Sequence, residues 1–513
     1  MPSAEWRFEY RVSANLPPLF WIARITPLLI EVTCGTSVRR ADDALLEGTW
    51  AGGPELHDLA TASTVYATGI VLTDDGPLVI PHHHPEDAVF ATKRDGATIV
   101  ANSIAGLLQH TGQRLDPQFP YPDVFWRLGP MKHLDQRGDP AMVVPRRLEI
   151  PTLDGPIEGL YCENFLVAAD GRLVDSRKPR ERTFVDFADY KERINAATRS
   201  MIANADGYTP VVALSAGYDS TAVAAVAATE GLRTAVGLRT ARHHGDNAIV
   251  ADSGAETARR LGLDFTVYDR LAFLAGTDLP EAEFLSGGMS GEDVVVADLE
   301  PQLHRSLLFT GHWGGRMWSE TWRPSVRHPP PPELSGNSMT DFRLRVDCVH
   351  VALPYFGSLQ DPTTSALEND PTMAPYRVGG YYDRPIARRL AEEAGLPRGS
   401  FASSKIAVSH LLHHGDRAAY APATAAAIEA FAAAEGRRNP FRRPFMVRRR
   451  HRALIKLAHR LGLGRLVRGL EERRARAIHF DGEFGGLVFR WAVSVVGPRY
   501  AADVDPAPSR SLT

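Results

Sequence analysis

The sequence predicts an α/β fold, a parallel sheet with helices on both faces, preceded by a β-rich α+β domain. Three observations carry this. From about residue 184, strand-like and helix-like patterns alternate, the signature of a parallel sheet built from crossovers. Before that point, three Asp-Gly pairs sit between apolar runs, the strongest local signal for β-hairpins. Between the two lies a change of hydrophobic period from two to 3.6 residues.

The elements follow in chain order. Trp6, Phe8, Tyr10 and Val12 alternate with polar residues, as in a half-buried strand. Residues 19–32 are apolar but carry Arg24 and Pro27, so they read as a buried strand pair and not as a membrane span. The apolar 485–497 stretch contains Arg490 and is also too short to span. Asp75-Gly76, Asp95-Gly96 and Asp170-Gly171 mark hairpins. The charged segment 177–182 closes a first domain, 1–182. Phe187, Tyr190, Ile194, Ala197 and Met201 are then spaced as one face of a helix. Strands follow at 211–214, 234–238, 265–268 and 307–310, the last running into Gly311. Helices at 220–230 and 252–261 end at Gly231 and Gly262, as helices commonly do. This second domain spans 183–416, with the proline-rich 320–340 read as a mobile loop, a lid being one role open to it. A third region, 417–513, is a helical extension with an arginine-dense stretch at 437–476 and a disordered tail from 503.

A chain of 513 residues requires two or three such domains. Its net charge of −3 gives no whole-protein argument for nucleic acid. Cys34, Cys162 and Cys348 lie far apart and form no Cys-x-x-Cys pair, so neither a zinc site nor a thiol relay is suggested. With no secretory signal and no transmembrane segment, a cytoplasmic location is expected.

The most informative segment is 211–220, Val-Val-Ala-Leu-Ser-Ala-Gly-Tyr-Asp-Ser. A buried strand enters a turn of small and hydroxyl residues, and a helix starts at once. Its first N–H groups and positive dipole end then face the turn, which makes an anion site. Ser215 and Ser220 add hydroxyl donors, and Gly217 lets backbone approach a phosphate. Asp219 is foreign to a pure anion site but suits Mg²⁺ held between carboxylate and phosphate oxygens.

This segment resembles the pyrophosphate loop of the N-type ATP pyrophosphatases, Ser-Gly-Gly-x-Asp-Ser, with Ala216 in place of the first glycine. No Walker A sequence is present. Region 184–416 further resembles the synthetase domain of class B asparagine synthetases, β-lactam synthetases and lasso-peptide cyclases. The matching pieces are 252–262, the glycine-rich turn Gly311-His312-Trp313-Gly314-Gly315, Arg345-Val346-Asp347, Leu353-Pro354-Tyr355-Phe356-Gly357, and Phe401-Ala402-Ser403-Ser404-Lys405.

The resemblance implies an ATP-dependent C–N ligase that activates a carboxylate as an acyl-adenylate and passes it to an amine. Ser215, Ala216, Gly217, Tyr218, Asp219 and Ser220 would hold ATP and pyrophosphate, with Asp219 on Mg²⁺. Gly237 and Leu238 would meet adenine through backbone, and Gly311 the ribose or α-phosphate. Lys405 would be the catalytic lysine. The substrate would be a small molecule or peptide bearing a carboxylate and an amine, in a specialised pathway, and a protein partner is compatible with this. Two departures stand out. The glutamine-hydrolysing members start with a nucleophilic cysteine, whereas this chain starts Met1-Pro2-Ser3, which implies a first domain kept as a glutaminase-like scaffold. The Gly311 turn also lacks the acid that helps hold Mg²⁺, and Asp341 and Asp347 are the candidates to replace it.

Other signals have plainer readings. Glu292 and Asp293 suit the start of a helix better than a contact to the amine. His82, His83 and His84, between Pro81 and Pro85, read as a surface loop and not as a metal site. His243 and His244 read as loop residues near the crevice. The arginine-dense stretch reads as a solvated helix face rather than an RNA or membrane surface. Two rival functions remain: a non-catalytic nucleotide-binding scaffold of the same family, and an RNA- or tRNA-modifying ATP pyrophosphatase.

Overall fold

A computed structural model describes residues 6–85, 87–125, 146–243, 249–286, 292–318, 339–358, 364–379, 383–400, 406–407, 410, 412, 416–437, 440–441 and 482–501. The architecture is mixed α/β, with a β-rich first part and a parallel sheet flanked by helices.

The first part is built from thirteen strands. They are β1 (Arg7–Val12), β2 (Trp21–Thr26), β3 (Leu29–Cys34), β4 (Arg39–Arg40), β5 (Ala44–Ala51), β6 (Thr64–Thr73) and β7 (Gly76–Ile80), then β8 (Val89–Arg94), β9 (Ala97–Ala101), β10 (Arg147–Ile150), β11 (Ile157–Leu160), β12 (Asn164–Val167) and β13 (Leu173–Ser176). They form a seven-stranded sheet, β1-β3-β2-β9-β8-β11-β10, and a six-stranded sheet, β13-β12-β7-β6-β5-β4. Inward-facing Trp21, Ile25, Val32 and Val100 of the first meet Leu45, Ile70, Val79 and Phe165 of the second, so the two sheets pack face to face. All three Asp-Gly pairs stand where the sequence places them, joining β6 to β7, β8 to β9 and β12 to β13. Asp95 and Gly96 both take positive φ, 48° and 73°, as a two-residue hairpin turn demands. Residues 19–32 supply the antiparallel pair β2 and β3. Helices α1 (Ile104–Thr111) and α2 (Tyr121–Phe125) cover the outer face of the larger sheet.

The parallel sheet contains β14 (Thr209–Ala213), β15 (Thr234–Leu238), β18 (Asp264–Tyr268), β19 (Ser306–Thr310) and β20 (Cys348–Ala352) in the order β18-β15-β14-β19-β20. Every pair in it is parallel. A small sheet, β17-β16-β21, is made by β16 (Thr240–His243), β17 (Ile249–Ala251) and β21 (Ile406–Ala407). His243 is therefore a strand residue and not a loop residue; His244 lies outside the described residues. The helices here are α3 (Phe187–Asn204), α4 (Tyr218–Thr229), α5 (Ala255–Leu261), α6 (Pro280–Ser286), α7 (Glu300–Leu303), α8 (Gly314–Met317), α9 (Thr340–Val346), α10 (Thr364–Glu368) and α11 (Pro385–Glu393). The five apolar residues that predict α3 are all buried. Glu292 opens a 3₁₀ helix, Glu292–Leu299, which agrees with the helix-start reading. Two helices, α12 (Pro422–Ala434) and α13 (Gly482–Val496), complete the described chain; α13 packs Phe484, Leu487, Phe489 and Trp491 into the core beside α2 and α6. Among the described residues no helix is long and apolar enough to cross a membrane.

The β-rich part and the parallel sheet share a polar, buried interface. Arg343 of α9 donates to both carboxylate oxygens of Glu47, at 2.8 and 2.9 Å, and to Asp87 at 3.0 Å. Tyr66 donates to the Ala352 carbonyl at 2.6 Å, and Thr49 to that of Met201 at 2.7 Å. His82, His83 and His84 belong to this interface, at 1%, 1% and 0% exposure, which overturns the surface-loop reading. The flanking prolines shape the loop between β7 and β8, but its rings turn inward against Tyr66 and Tyr355. Burial pushes the pKa of all three histidines down, that of His83 to about 4.

Candidate functional site

In the parallel sheet, β15 and β18 extend one way from β14, and β19 and β20 extend the other. The order reverses between β14 and β19, and at such a point the loops at the carboxyl ends of the strands splay apart to leave a crevice. The 214–217 turn leaves β14 there, and the Gly311 turn leaves β19 there. Sequence order and sheet order together bring the two most distinctive segments to one place.

Gly217 caps α4, so Tyr218, Asp219 and Ser220 form the helix's first turn, two residues earlier than the sequence pattern indicates. Ser215 and Ser220 hold the turn closed: their hydroxyl oxygens stand 2.8 Å apart, the Gly217 N–H donates to Ser215 Oγ at 3.1 Å, and the Ser215 N–H donates to Ser220 Oγ at 3.2 Å. Ala216 is not among the residues with positive φ, so alanine there carries no left-handed strain.

The Gly311 turn packs directly on this helix end. A Cβ at Gly311 would stand 2.4 Å from the Ser220 nitrogen, and one at Gly314 would stand 2.5 Å from both Cβ and Cγ of Asp219. Both positions need glycine because the first turn of α4 occupies the space a side chain would take. Between them Trp313 adopts φ 71°, a left-handed conformation that costs a non-glycine residue about 1–2 kcal/mol. Buried Trp313 is held there by Tyr355, with ring centroids 4.9 Å apart.

Gly315 is different. A Cβ there would stand 3.7 Å from Asp219 Oδ2 and 3.8 Å from Arg384 Nη2, which is ordinary contact. Gly315 therefore lies between a carboxylate and a guanidinium. Asp341 and Asp347 do not replace the missing acid of the turn. Asp347 precedes β20, at the opposite end of the sheet, and accepts from Ser37 at 2.7 Å and Tyr208 at 2.5 Å. Asp341 accepts from Ser103 at 2.7 Å and from Tyr500.

Gly237 and Leu238 end β15, beside β14. A Cβ at Gly237 would fall 2.4 Å from the Leu214 carbonyl oxygen, so this glycine allows the chain leaving β14 to pass close by. Lys405 lies outside the described residues, as does most of 437–476 and of the 320–340 segment. Ile406, next to Lys405 in sequence, pairs with His243 of β16, just beyond the carboxyl end of β15.

Three residues at the site carry no sequence signal of their own. Asp252, 2% exposed, accepts the Ala216 N–H at 2.9 Å, and burial pushes its carboxyl up to about 6. Arg384 donates to the Gly315 carbonyl at 3.0 Å. Arg388 of α11 donates to the Tyr218 hydroxyl and lies 4.8 Å from that ring's centroid. Arg388 lies in α11 and Arg384 just before it, more than 150 residues downstream of the loop, and only the folded chain brings them there.

The three cysteines are buried free thiols, and burial pushes the Cys34 thiol up, away from the thiolate a nucleophile requires. No family model matches this chain, and no curated protein matches it.

Proposed function

We propose that the protein is an ATP-dependent, AMP-forming amide ligase of the asparagine-synthetase-like kind, without glutaminase activity. One observation carries the reading: the Ser215–Ser220 loop stands where the strand order reverses, with Asp219 packed against the glycine-rich turn from β19. ATP would lie across the carboxyl ends of β14, β15 and β19. Its leaving pyrophosphate would face the loop and the N-terminus of α4. Gly237 and Leu238 are at the right strand end to meet adenine through backbone.

The residues present fit Mg²⁺. Asp219 offers one carboxylate beside Gly315, and Mg²⁺ commonly takes one or two protein carboxylates with phosphate oxygens and water. Bound there, the ion would offset phosphate charge. Arg384 supplies a second positive group on the same side, of the kind that stabilises charge developing on a leaving pyrophosphate. Lys405 remains the proposed catalytic lysine on the strength of the resemblance. The substrate class is a molecule bearing a carboxylate and an amine.

A scaffold that binds nucleotide without turnover is the second reading, and the absent acid at Gly315 favours it. Product analysis separates the two. With ATP, Mg²⁺ and panels of carboxylates and amines, a ligase releases AMP and pyrophosphate, and Asp219→Asn lowers that release by roughly a hundredfold. Release of ADP and phosphate would refute the adenylation chemistry. A protein that binds MgATP but gives no AMP with any pair, and catalyses no carboxylate-dependent pyrophosphate exchange, is the scaffold.

A further inference from the structure

The buried loop between β7 and β8 carries a cluster that the nucleotide site does not use. Nδ1 of His82 and Nε2 of His84 stand 3.0 Å apart. Two imidazole nitrogens on one tetrahedral zinc ion stand about 3.3 Å apart, given zinc–nitrogen bonds of about 2.0–2.1 Å. Asp87 completes the group: one ligand atom from each of the three residues lies within 4.8 Å of the others, and all three side chains are buried.

Two further observations point to a cation. The first is charge. Arg343 is the guanidinium facing both Glu47 and Asp87, so this buried group holds two carboxylates on one cation. A bound cation beside Asp87 would add a second positive neighbour to this pair of buried carboxylates. The second is an unsatisfied nitrogen. His82 Nε2, on a residue 1% exposed, has no hydrogen-bond partner among the described residues and lies 3.8 Å from Asp87 Oδ2. With His82 Nδ1 on an ion, this second nitrogen would keep its proton and face the carboxylate, the arrangement that fixes a ligating ring's tautomer.

We propose that His82, His84 and Asp87 form a buried binding site for one divalent transition-metal ion of the zinc class, tying the β-rich part to the parallel sheet. Two imidazoles and a carboxylate suit zinc and its neighbours, whereas Mg²⁺ prefers oxygen ligands throughout. Asp87 is held by Arg343 as an outer partner, the kind of contact that fixes a ligand's orientation. The site is separate from Asp219 and requires no nucleotide. In metal-free protein the same His82–His84 contact is an N–H···N hydrogen bond, and this is the alternative the experiment must separate.

The test uses the untagged full chain, stripped with chelator, equilibrated with Zn²⁺ alone and desalted before elemental analysis. The expected result is about one ion per chain, falling below half in His84→Gln and in Asp87→Asn and unchanged in Asp219→Asn. Co²⁺ loaded into the wild-type protein gives visible d–d absorption of a nitrogen-ligated, low-coordinate ion, which decides the matter even if a variant fails to fold. Less than half an ion per chain in folded wild-type protein, a Co²⁺ spectrum like that of the aqueous ion, or a His84→Gln protein that holds as much zinc as wild type would each overturn the proposal.

Discussion

Replacing Asp252 with asparagine tests the electrostatics of the loop with a magnitude set by the structure. Burial raises the Asp252 carboxyl from 3.8 to about 6, while the Ala216 N–H that it accepts pulls the other way. A carboxyl raised on folding binds its proton more tightly in the folded chain than in the unfolded one. Its stabilising contribution is therefore complete below the unfolded value, near pH 4, and is lost as pH rises through about 6. Two pK units at about 1.4 kcal/mol each make the loss about 3 kcal/mol by pH 8. Asparagine keeps an oxygen for the Ala216 N–H and cannot ionise. Asp252→Asn is therefore expected to match wild type at about pH 4.5 and to exceed it by about 2–3 kcal/mol at pH 8, with the gap opening between those values. Urea unfolding followed by tryptophan fluorescence across that range measures it. Parallel pH curves for the two proteins would show that the carboxylate is not buried against the loop as described.

Other outcomes follow from the packing and the buried charges. Gly314→Ala drives a Cβ to 2.5 Å from Asp219, so MgATP binding measured by calorimetry is expected to be lost, whereas Gly315→Ala, with its nearest neighbours at 3.7 and 3.8 Å, is expected to bind within about threefold of wild type. Gly315→Asp sets a second carboxylate beside Asp219 and is expected to lower the Mg²⁺ concentration needed for half-maximal ATP binding. Arg343→Met leaves Glu47 and Asp87 buried without their guanidinium and is expected to destabilise the protein by about 3–5 kcal/mol in urea, a far larger effect than any exposed ion pair would give.

The elements governed by local chemistry were legible in the sequence. Asp-Gly turns, the spacing of Phe187 to Met201 and the glycines at 231 and 262 each act within a few residues, and each stands where the sequence puts it. The fifth parallel strand, β20, was not read as one. Cys348–Ala352 is buried along its whole length, and a short buried strand lacks the alternation that marks a half-exposed one. The histidine loop was misread for a related reason: prolines report a turn, but which way its rings face depends on Tyr66, Tyr355 and Arg343, all distant in sequence. At the site, the 215–220 turn was legible because one segment contains it. Asp252, Arg384 and Arg388 reach it only through the fold, and nothing around them in sequence distinguishes them from other surface-type charges.

A chain of contacts runs from the β-rich part to the Gly311 turn. Trp313 occupies a left-handed conformation that only surrounding structure can sustain. Its ring packs on Tyr355, which follows β20 in the 3₁₀ helix Leu353–Tyr355. Tyr355 in turn packs on His84, at 5.1 Å between ring centroids, and the Ala352 carbonyl just before that helix takes a hydrogen bond from Tyr66. His84 and Tyr66 both belong to the β-rich part. If they release the end of β20, Tyr355 loses its backing and Trp313 its support, and the turn no longer sets Gly314 against Asp219. The β-rich part thus braces the strained turn from behind, three contacts away from the carboxylate proposed to hold the metal.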